Sequence, residues 1–465
     1  TTLMNTRRIG GKPLEPVTML DITISDRELR QPVDLIGAVK ITGQSGALRF
    51  GVLAAFEGDV IFDASLSGDP FHLEGESSDY GVARILYENQ SGGSYKAIGA
   101  LTTAVVNKQR DALTHGLDGH YLSADGRWKV DGQVFMSDIE NIETGFGGFV
   151  DFEYTFRQGV VQGLGIEYFD EDVDLNDLGF QQRKDNFRLR TRHTRQSSNL
   201  SWARDNEFDV RGFVQKNDDG LFTGGGIFLS DRMTFNNLSR LTLRASFFPE
   251  YYDDLNSFGN GTYRIEQQWF SGMLWESDSS KPLSFAVGTG YSQEALGGGT
   301  QIGRIIVNWR PSDRFALSMN VRYVKRNGWL LHQEDSNFTT FRAEEWAPRV
   351  SADYFINARQ QLRFSVQWIG IKAKEDEFFE IPDEPGNLIS VSKPDGLSDS
   401  FSLSDMSFQL RYRWEIAPLS DVFLVYTRLV DEESELKSFS DTFSDGYDNP
   451  IGDFLVLKIR YRFGS

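Results

Sequence analysis

Residues 407–416 read Ser-Phe-Gln-Leu-Arg-Tyr-Arg-Trp-Glu-Ile. In an extended strand successive side chains point to opposite faces, so Phe408, Leu410, Tyr412, Trp414 and Ile416 share one face. Ser407, Gln409, Arg411, Arg413 and Glu415 share the other. The apolar face keeps its rings to the strand end, and the opposite face is charged. The pattern returns at 315–323, where Phe315, Leu317, Met319, Val321 and Tyr323 alternate with Ala316, Ser318, Asn320 and Arg322. It returns again at 150–156, 187–195, 241–248, 263–275 and 362–368. Soluble sandwiches and propellers also alternate. They need neither aromatic residues gathered at strand ends (Tyr154, Phe156, Trp269, Trp275, Tyr323, Trp368, Trp414) nor Arg and Asp all along the second face.

Connection lengths alternate as well. Short polar turns are read at 43–46, 89–93, 124–126, 157–159, 311–313, 357–359 and 418–421, and long ones at about 169–185, 249–260, 327–345, 372–405 and 431–452. Short turns on one side and long loops on the other mark an up-and-down transmembrane barrel. The chain accommodates roughly 20 to 22 strands of the ~9–11 residues needed to cross a bilayer obliquely. The expected fold is therefore all-β: a transmembrane antiparallel up-and-down β-barrel with short periplasmic turns and long acidic extracellular loops. Residues 31–463 form the barrel in this reading, 1–30 a linker or partial lumen plug, and Gly464-Ser465 an appended remnant.

Composition narrows the alternatives. The mean hydropathy is −0.39, and no run approaches the ~18 apolar residues of a membrane helix. With no cysteine among 465 residues, disulfide scaffolds and zinc–thiolate sites are excluded. Thirteen prolines and 39% hydrophobic residues argue against disorder. The first residues, Thr1-Thr2-Leu3-Met4-Asn5, do not form a signal peptide, as expected of a mature or truncated chain. At the other end Leu455, Leu457, Ile459, Tyr461 and Phe463 alternate with charge up to a terminal aromatic. This looks like the last-strand signal that hands bacterial barrels to their insertion machinery, with Leu457, Ile459, Tyr461 and Phe463 as its core. It places the chain in a Gram-negative outer membrane, with membrane lipid and lipopolysaccharide as neighbours.

The formal charge is −19. Residues 169–177, 372–405 and 431–449 hold nearly all of it, so the barrel is close to neutral. Acidic loops of this kind either bind divalent cations bridging to lipopolysaccharide or are merely solvated and mobile; the solvated reading is the simpler. The face opposite the apolar one is basic: Arg188, Arg190, Arg192, Arg244, Arg264, Arg304, Arg322, Arg349, Arg363, Arg411, Arg413, Lys458 and Arg460. Acids on that face are fewer, among them Asp151, Glu153, Glu266, Asp353 and Glu415. A charge facing lipid at midplane costs ~2–4 kcal/mol, so these residues belong to a wet or protein-filled interior. Two readings stand open. The arginines line a path that lowers the barrier for anions, or they are charge ladders paired across strands or against a plug.

Little else carries chemistry. His72, His115, His120, His193 and His332 form no metal-ligand spacing, and His115 and His120 fall on opposite faces of a strand. Asp170-Glu171-Asp172-Val173-Asp174 lacks the glycine and the closing glutamate of a calcium loop, since Asp177 and Arg183 stand there. Gly145–Gly148, Gly224–Gly226 and Gly297–Gly299 precede no helix and are not phosphate cradles. There is no GxSxG elbow, no catalytic set, no cofactor and no nucleic-acid patch to nominate.

Several stretches resemble a family of uncharacterised bacterial proteins in which a module similar to family-nine carbohydrate-binding modules precedes an outer-membrane barrel. They are Thr6-Arg7-Arg8-Ile9-Gly10, Ala83-Arg84-Ile85-Leu86, Ser94-Tyr95-Lys96-Ala97-Ile98-Gly99, Trp128-Lys129-Val130-Asp131-Gly132-Gln133 and Asn176-Asp177-Leu178-Gly179-Phe180-Gln181-Gln182-Arg183-Lys184-Asp185. Asn-Asp-Leu-Gly-Phe followed by Arg is the most specific. Gly11 departs from the family's usual Arg-Ile-Gly-Arg. The resemblance implies that residues 1–30 connect an absent carbohydrate-binding-like module to the barrel; it supplies no activity. Two functions follow from the sequence: a porin-like channel or transporter for anionic or glycan solutes, or a plugged barrel serving as a membrane anchor or partner platform for a surface or periplasmic protein.

Overall fold

The computed structural model describes residues 2–16, 22–29, 31–66, 68–393, 396 and 398–462. It is almost entirely antiparallel sheet of the up-and-down β-barrel kind; of the twenty-two strands in the large sheet, the three-residue Ile389–Val391 is an addition paired only with the end of Gln360–Glu380. By internal contacts the chain forms two compact units: residues 1–193 with 212–222, and residues 194–211 with 223–465.

In the first unit Leu35–Ser45, Leu48–Glu57, Asp79–Asn89, Tyr95–Val106, Ala112–Leu122, Trp128–Ile139, Gly145–Arg157 and Val160–Phe169 pair antiparallel in chain order. Burial runs opposite to that of a soluble sheet. Along Ala112–Leu122, Ala112, Thr114, Gly116 and Asp118 are buried while Leu113 and Leu117 are exposed. Leu117 is 58% exposed and its cross-strand partner Val134 61%. An aliphatic face left open on this scale is stable only against hydrocarbon, which identifies it as the lipid-facing side. At the short-turn end of this face the Trp128 and Tyr154 ring centres lie 4.6 Å apart, and Tyr154 meets Phe156 edge to face at 4.9 Å. Rings so placed form an interfacial girdle.

The second unit pairs Phe222–Thr234, Arg240–Phe248, Gln268–Glu276, Leu283–Gln293, Gly299–Ser312, Phe315–His332, Asn337–Asn357, Gln360–Glu380, Phe401–Ala417, Ser420–Glu435 and Gly452–Arg460 in the same way. Trp275–Phe285 and Trp309–Phe315 mark its short-turn end, and Trp269–Tyr291 and Tyr323–Trp346 the other. Phe315 to Tyr323 spans ~27 Å at the usual strand rise, or ~20 Å of membrane at a tilt of ~40°.

Three loop expectations need correction. Segment 327–345 is not a loop: Phe315–His332 and Asn337–Asn357 pair through it, leaving a turn at 333–336. The other two long loops shrink to 381–400 and 436–451, the latter built around the helix Phe439–Asp448. These hairpins keep pairing beyond the membrane because they fold over apolar cores of their own. Phe341, Ala343 and Ala373 are buried with Trp329 and Phe401 against them, and Tyr263, Ile265, Phe338 and Ile381 form a second cluster. Individual acids of the 372–405 segment are held by cations or backbone donors. Glu375 accepts the Asp399 backbone N–H at 2.8 Å and pairs with Lys393, and Asp376 pairs with Arg342. Segment 263–275 is likewise not one strand: Tyr263–Ile265 pairs with Tyr251–Asp253 in a loop hairpin, and the barrel strand begins at Gln268. The turn read at 43–46 lies at Gly46-Ala47, and that at 311–313 lies at Asp313-Arg314.

Candidate functional site

On the inner face of the second unit, strand register assembles arginines from five consecutive strands. Arg304 lies directly opposite Arg322, and Arg363 directly opposite Arg411. Arg349 stands between Asn320 and Gln367 on its two neighbours. Directly opposed residues hold their Cβ atoms ~4.5–5.5 Å apart, where like charges destabilise a sheet. The acids here are few and shared. Glu345, 6% exposed, pairs with Arg322 and, at 3.5 Å, with Arg326. Asp353 takes Arg363 Nε at 2.7 Å and Gln361 Nε2 at 2.8 Å through one oxygen. Arg304 donates to Asn320 Oδ1 at 2.9 Å and Arg411 lies 4.9 Å from the Phe423 ring centre; among the described residues neither pairs with a carboxylate. Toward the short-turn end Asp421, only 1% exposed, holds both Arg413 and Arg460.

The remaining predicted residues are dispersed. Arg244 stands opposite Ser230 and Gly272. Lys458 stands opposite Phe423. In the first unit Arg190 binds Asp151 at 2.8 and 2.9 Å, Arg188 lies 4.3 Å from the Phe213 ring centre, and Arg192 is exposed. Arg264 is not on a barrel strand. It sits in the loop hairpin, where its Nε donates to Asn387 Oδ1 at 2.7 Å and its guanidinium lies 3.5 Å from Glu250. Glu266 lies just beyond that hairpin, also outside the barrel strands. Leu457, Ile459 and Tyr461 are exposed on or just after the last strand, and Phe463 lies outside the described residues.

The first unit carries a feature that no local pattern announces. Leu3 is buried with Phe135, Phe169, Val173 and Leu175, while Met4 and Ile9 pack on Ala55, Tyr80, Val82, Val105, Ala112, Ile139 and Leu178. The first residues thus lie on the unit's inner face, clasped by the loop after Val160–Phe169. Thr2 and Phe180 exchange backbone hydrogen bonds at 2.9 and 2.8 Å, and Asn5 donates to the Leu178 carbonyl at 2.6 Å. Arg8 reaches Gly179 O and Asn176 Oδ1, both at 3.3 Å, and Gly10 N–H donates to Glu57 Oε1 at 2.9 Å. Two glycines make room: a Cβ on Gly116 would stand 2.2 Å from Leu3 Cδ1, and one on Gly179 2.4 Å from the Thr2 carbonyl oxygen. The stretches Thr6–Gly10 and Asn176–Gln181, singled out separately in the sequence, are therefore the two halves of one clasp.

The histidines and acids of the same unit serve structure. Arg84 binds Asp118, which reaches His120 at 2.9 Å; His120 reaches Asp131 at 2.7 Å, and Lys129 closes on Asp131 at 2.9 Å. His115 hydrogen-bonds Thr102 on the opposite face at 3.0 Å. Asp170 accepts the Phe146 and Val173 backbone N–H groups at 2.6 and 2.8 Å, fixing the acidic loop. Among the described residues no three His, Cys, Asp or Glu side chains are grouped to hold a metal ion.

A family model described as a domain of unknown function, DUF5916, matches residues 1–463. No curated protein matches. Among solved structures the chain is similar to the FrpB iron transporter from Neisseria meningitidis (F3-3 variant), with a TM-score of 0.43, 9% identity, and 92% of this chain and 79% of that one covered.

Proposed function

The chain belongs to the DUF5916 family over almost its whole length, and we propose that it is an integral outer-membrane barrel that passes anionic solutes along the arginine row of its second unit. The observation that carries this reading is the direct opposition of Arg304 to Arg322 and of Arg363 to Arg411. A charge ladder built only for stability places acid against base. Here like charges face each other, and among the described residues two of the four pair with no carboxylate. A passing anion supplies the missing countercharge, as basic rings do in anion pores. The exposed aliphatic outer face and the alternating Leu455–Ile459 segment support the outer membrane as location and the barrel-insertion machinery as a partner. The solute class we propose is an anionic molecule or a glycan, the basic row favouring the anion.

The test is a planar-bilayer recording of the purified barrel under a salt gradient, with Arg363→Ala and Arg411→Ala as variants. Anion preference that falls in both variants supports the path. A second reading, a filled barrel acting as anchor or partner platform, is favoured by the clasp on the inner face of the first unit. It predicts no conductance and loss of partner binding when the 381–400 loop is shortened.

A further inference from the structure

We propose that the outer wall of the second unit carries a binding site for one zwitterionic phospholipid headgroup. The site is a cavity of about 350 Å³ lined by Arg195, Ser197, Leu200, Trp202, Asn206, Phe208 and Asp231. Its position is fixed by register. Asp231 stands directly opposite Leu243, which in turn stands opposite Met273. Leu243 and Met273 are exposed on the apolar outer face, as are Ile227 and Leu229 on Asp231's own strand. Asp231 therefore presents a carboxylate to the lipid side. It lies one outward-facing residue nearer mid-membrane than the row of Met233, Leu241 and Trp275 at the girdle.

A lipid-facing carboxylate is costly unless it is answered by a donor or a cation. Asn206 Nδ2 supplies one hydrogen bond to Asp231 Oδ1. Arg195 lines the same cavity and is exposed, yet forms no ion pair with Asp231. Within Asn186–Ser198 it alternates with Thr194, whose hydroxyl donates to the inward-facing, buried Asp209 at 2.8 Å, so Arg195 faces outward. A guanidinium and a carboxylate thus face one cavity in the membrane wall without meeting.

A headgroup with a phosphate and a primary ammonium spans that gap. The phosphate takes the guanidinium through charge-assisted hydrogen bonds, and the ammonium takes the free oxygen of Asp231. Trp202, 52% exposed, supplies the ring that interfacial sites place at headgroup depth, and the acyl chains run over Leu243 and Met273. The cavity lies beside the 199–204 turn, at the short-turn end. In outer-membrane barrels that end is periplasmic, the leaflet of phospholipid rather than lipopolysaccharide. This inference rests on the barrel fold and is independent of whether the interior conducts.

The test is native mass spectrometry of the detergent-purified barrel mixed with equal amounts of phosphatidylethanolamine and phosphatidylglycerol. Wild type is expected to retain one phosphatidylethanolamine in preference to phosphatidylglycerol by about tenfold, the factor one charged contact confers. Arg195→Gln should lose both adducts, and Asp231→Asn should keep binding while losing the preference. Arg240→Gln, which removes an inner-face charge near the same end, should match wild type. Excess inorganic phosphate should leave the adduct in place; displacement by phosphate alone means an anion site without lipid recognition and overturns the proposal. Equal retention of the two lipids by wild type also overturns it, and needs no variant to fold. Folding of each variant is checked by heat-dependent gel mobility.

Discussion

Replacing Gly179 by alanine should open the clasp without unfolding the barrel. The added methyl would stand 2.4 Å from the Thr2 carbonyl oxygen and 2.6 Å from that of Leu175. The Leu175 carbonyl is held within the loop by the Gly179 N–H at 2.7 Å, so Thr2 is the partner that yields. Its displacement breaks the paired hydrogen bonds to Phe180 and unseats Leu3. Overpacking of this kind costs typically 1–3 kcal/mol, so about 2 kcal/mol is removed from the clasp's closing free energy, or about thirtyfold in its opening constant. Because the chain has no cysteine, Leu3→Cys provides a silent-background probe whose labelling rate reports local opening. Adding Gly179→Ala to that variant should speed labelling about thirtyfold. Gly116→Ala in the same background should do little, because its collision is with Leu3 Cδ1, which cysteine lacks. Unchanged labelling with Gly179→Ala, or equal acceleration by both alanines, would refute the reasoning.

Three other outcomes follow from the same structure. Asp421→Asn leaves Arg413 and Arg460 without their shared, fully buried carboxylate and should destabilise the barrel by ~3–5 kcal/mol, read as a lower urea midpoint for heat-modifiable mobility. In the loop hairpin, burial and the neighbouring Asp253 push the Tyr251 hydroxyl up to about 12, and the same causes push Tyr263 in the same direction. The neutral phenol is the folded form, so this stabilisation is complete below the ordinary tyrosine value of ~10 and is lost as pH rises through about 12. Tyrosinate absorbance should therefore show one late-titrating residue fewer in Tyr251→Phe than in wild type and a second one fewer when Tyr263→Phe is added, and an unchanged late phase would contradict the buried hairpin. Finally, Arg363→Ala and Arg411→Ala should each reduce anion preference in reversal-potential measurements, whereas Arg264→Ala should not, since Arg264 lies in a loop.

The strands were legible because lipid and interior impose opposite demands on alternate residues: 315–323, 362–368 and 407–416 carry that demand without interruption. Reading failed where another force reset the phase. At Gly328, with φ of +86°, the register shifts between Asn327 and Trp329. That bulge inverts the alternation, so a continuous strand resembled a charged loop. At 263–275 Tyr263, Ile265, Trp269, Met273 and Trp275 keep one phase in sequence, but Tyr263 and Ile265 find apolar partners in Phe338 and Ile381, and tertiary packing overrides the pattern. Which arginines share a strand face followed from phase alone. Their partners did not, because Asp421 meets Arg460 across 39 positions and Arg84 meets Asp118 across 34. The clasp was out of reach for the same reason: Arg8 and Gly179 are 171 positions apart, and nothing local in either stretch names the other.

The reversal potential of a single wild-type barrel in a planar bilayer under a salt gradient decides whether the arginine row is an anion path. The arginine row predicts a steady conductance whose reversal potential lies on the anion-selective side. A silent barrel, or one that conducts with cation preference, would contradict it.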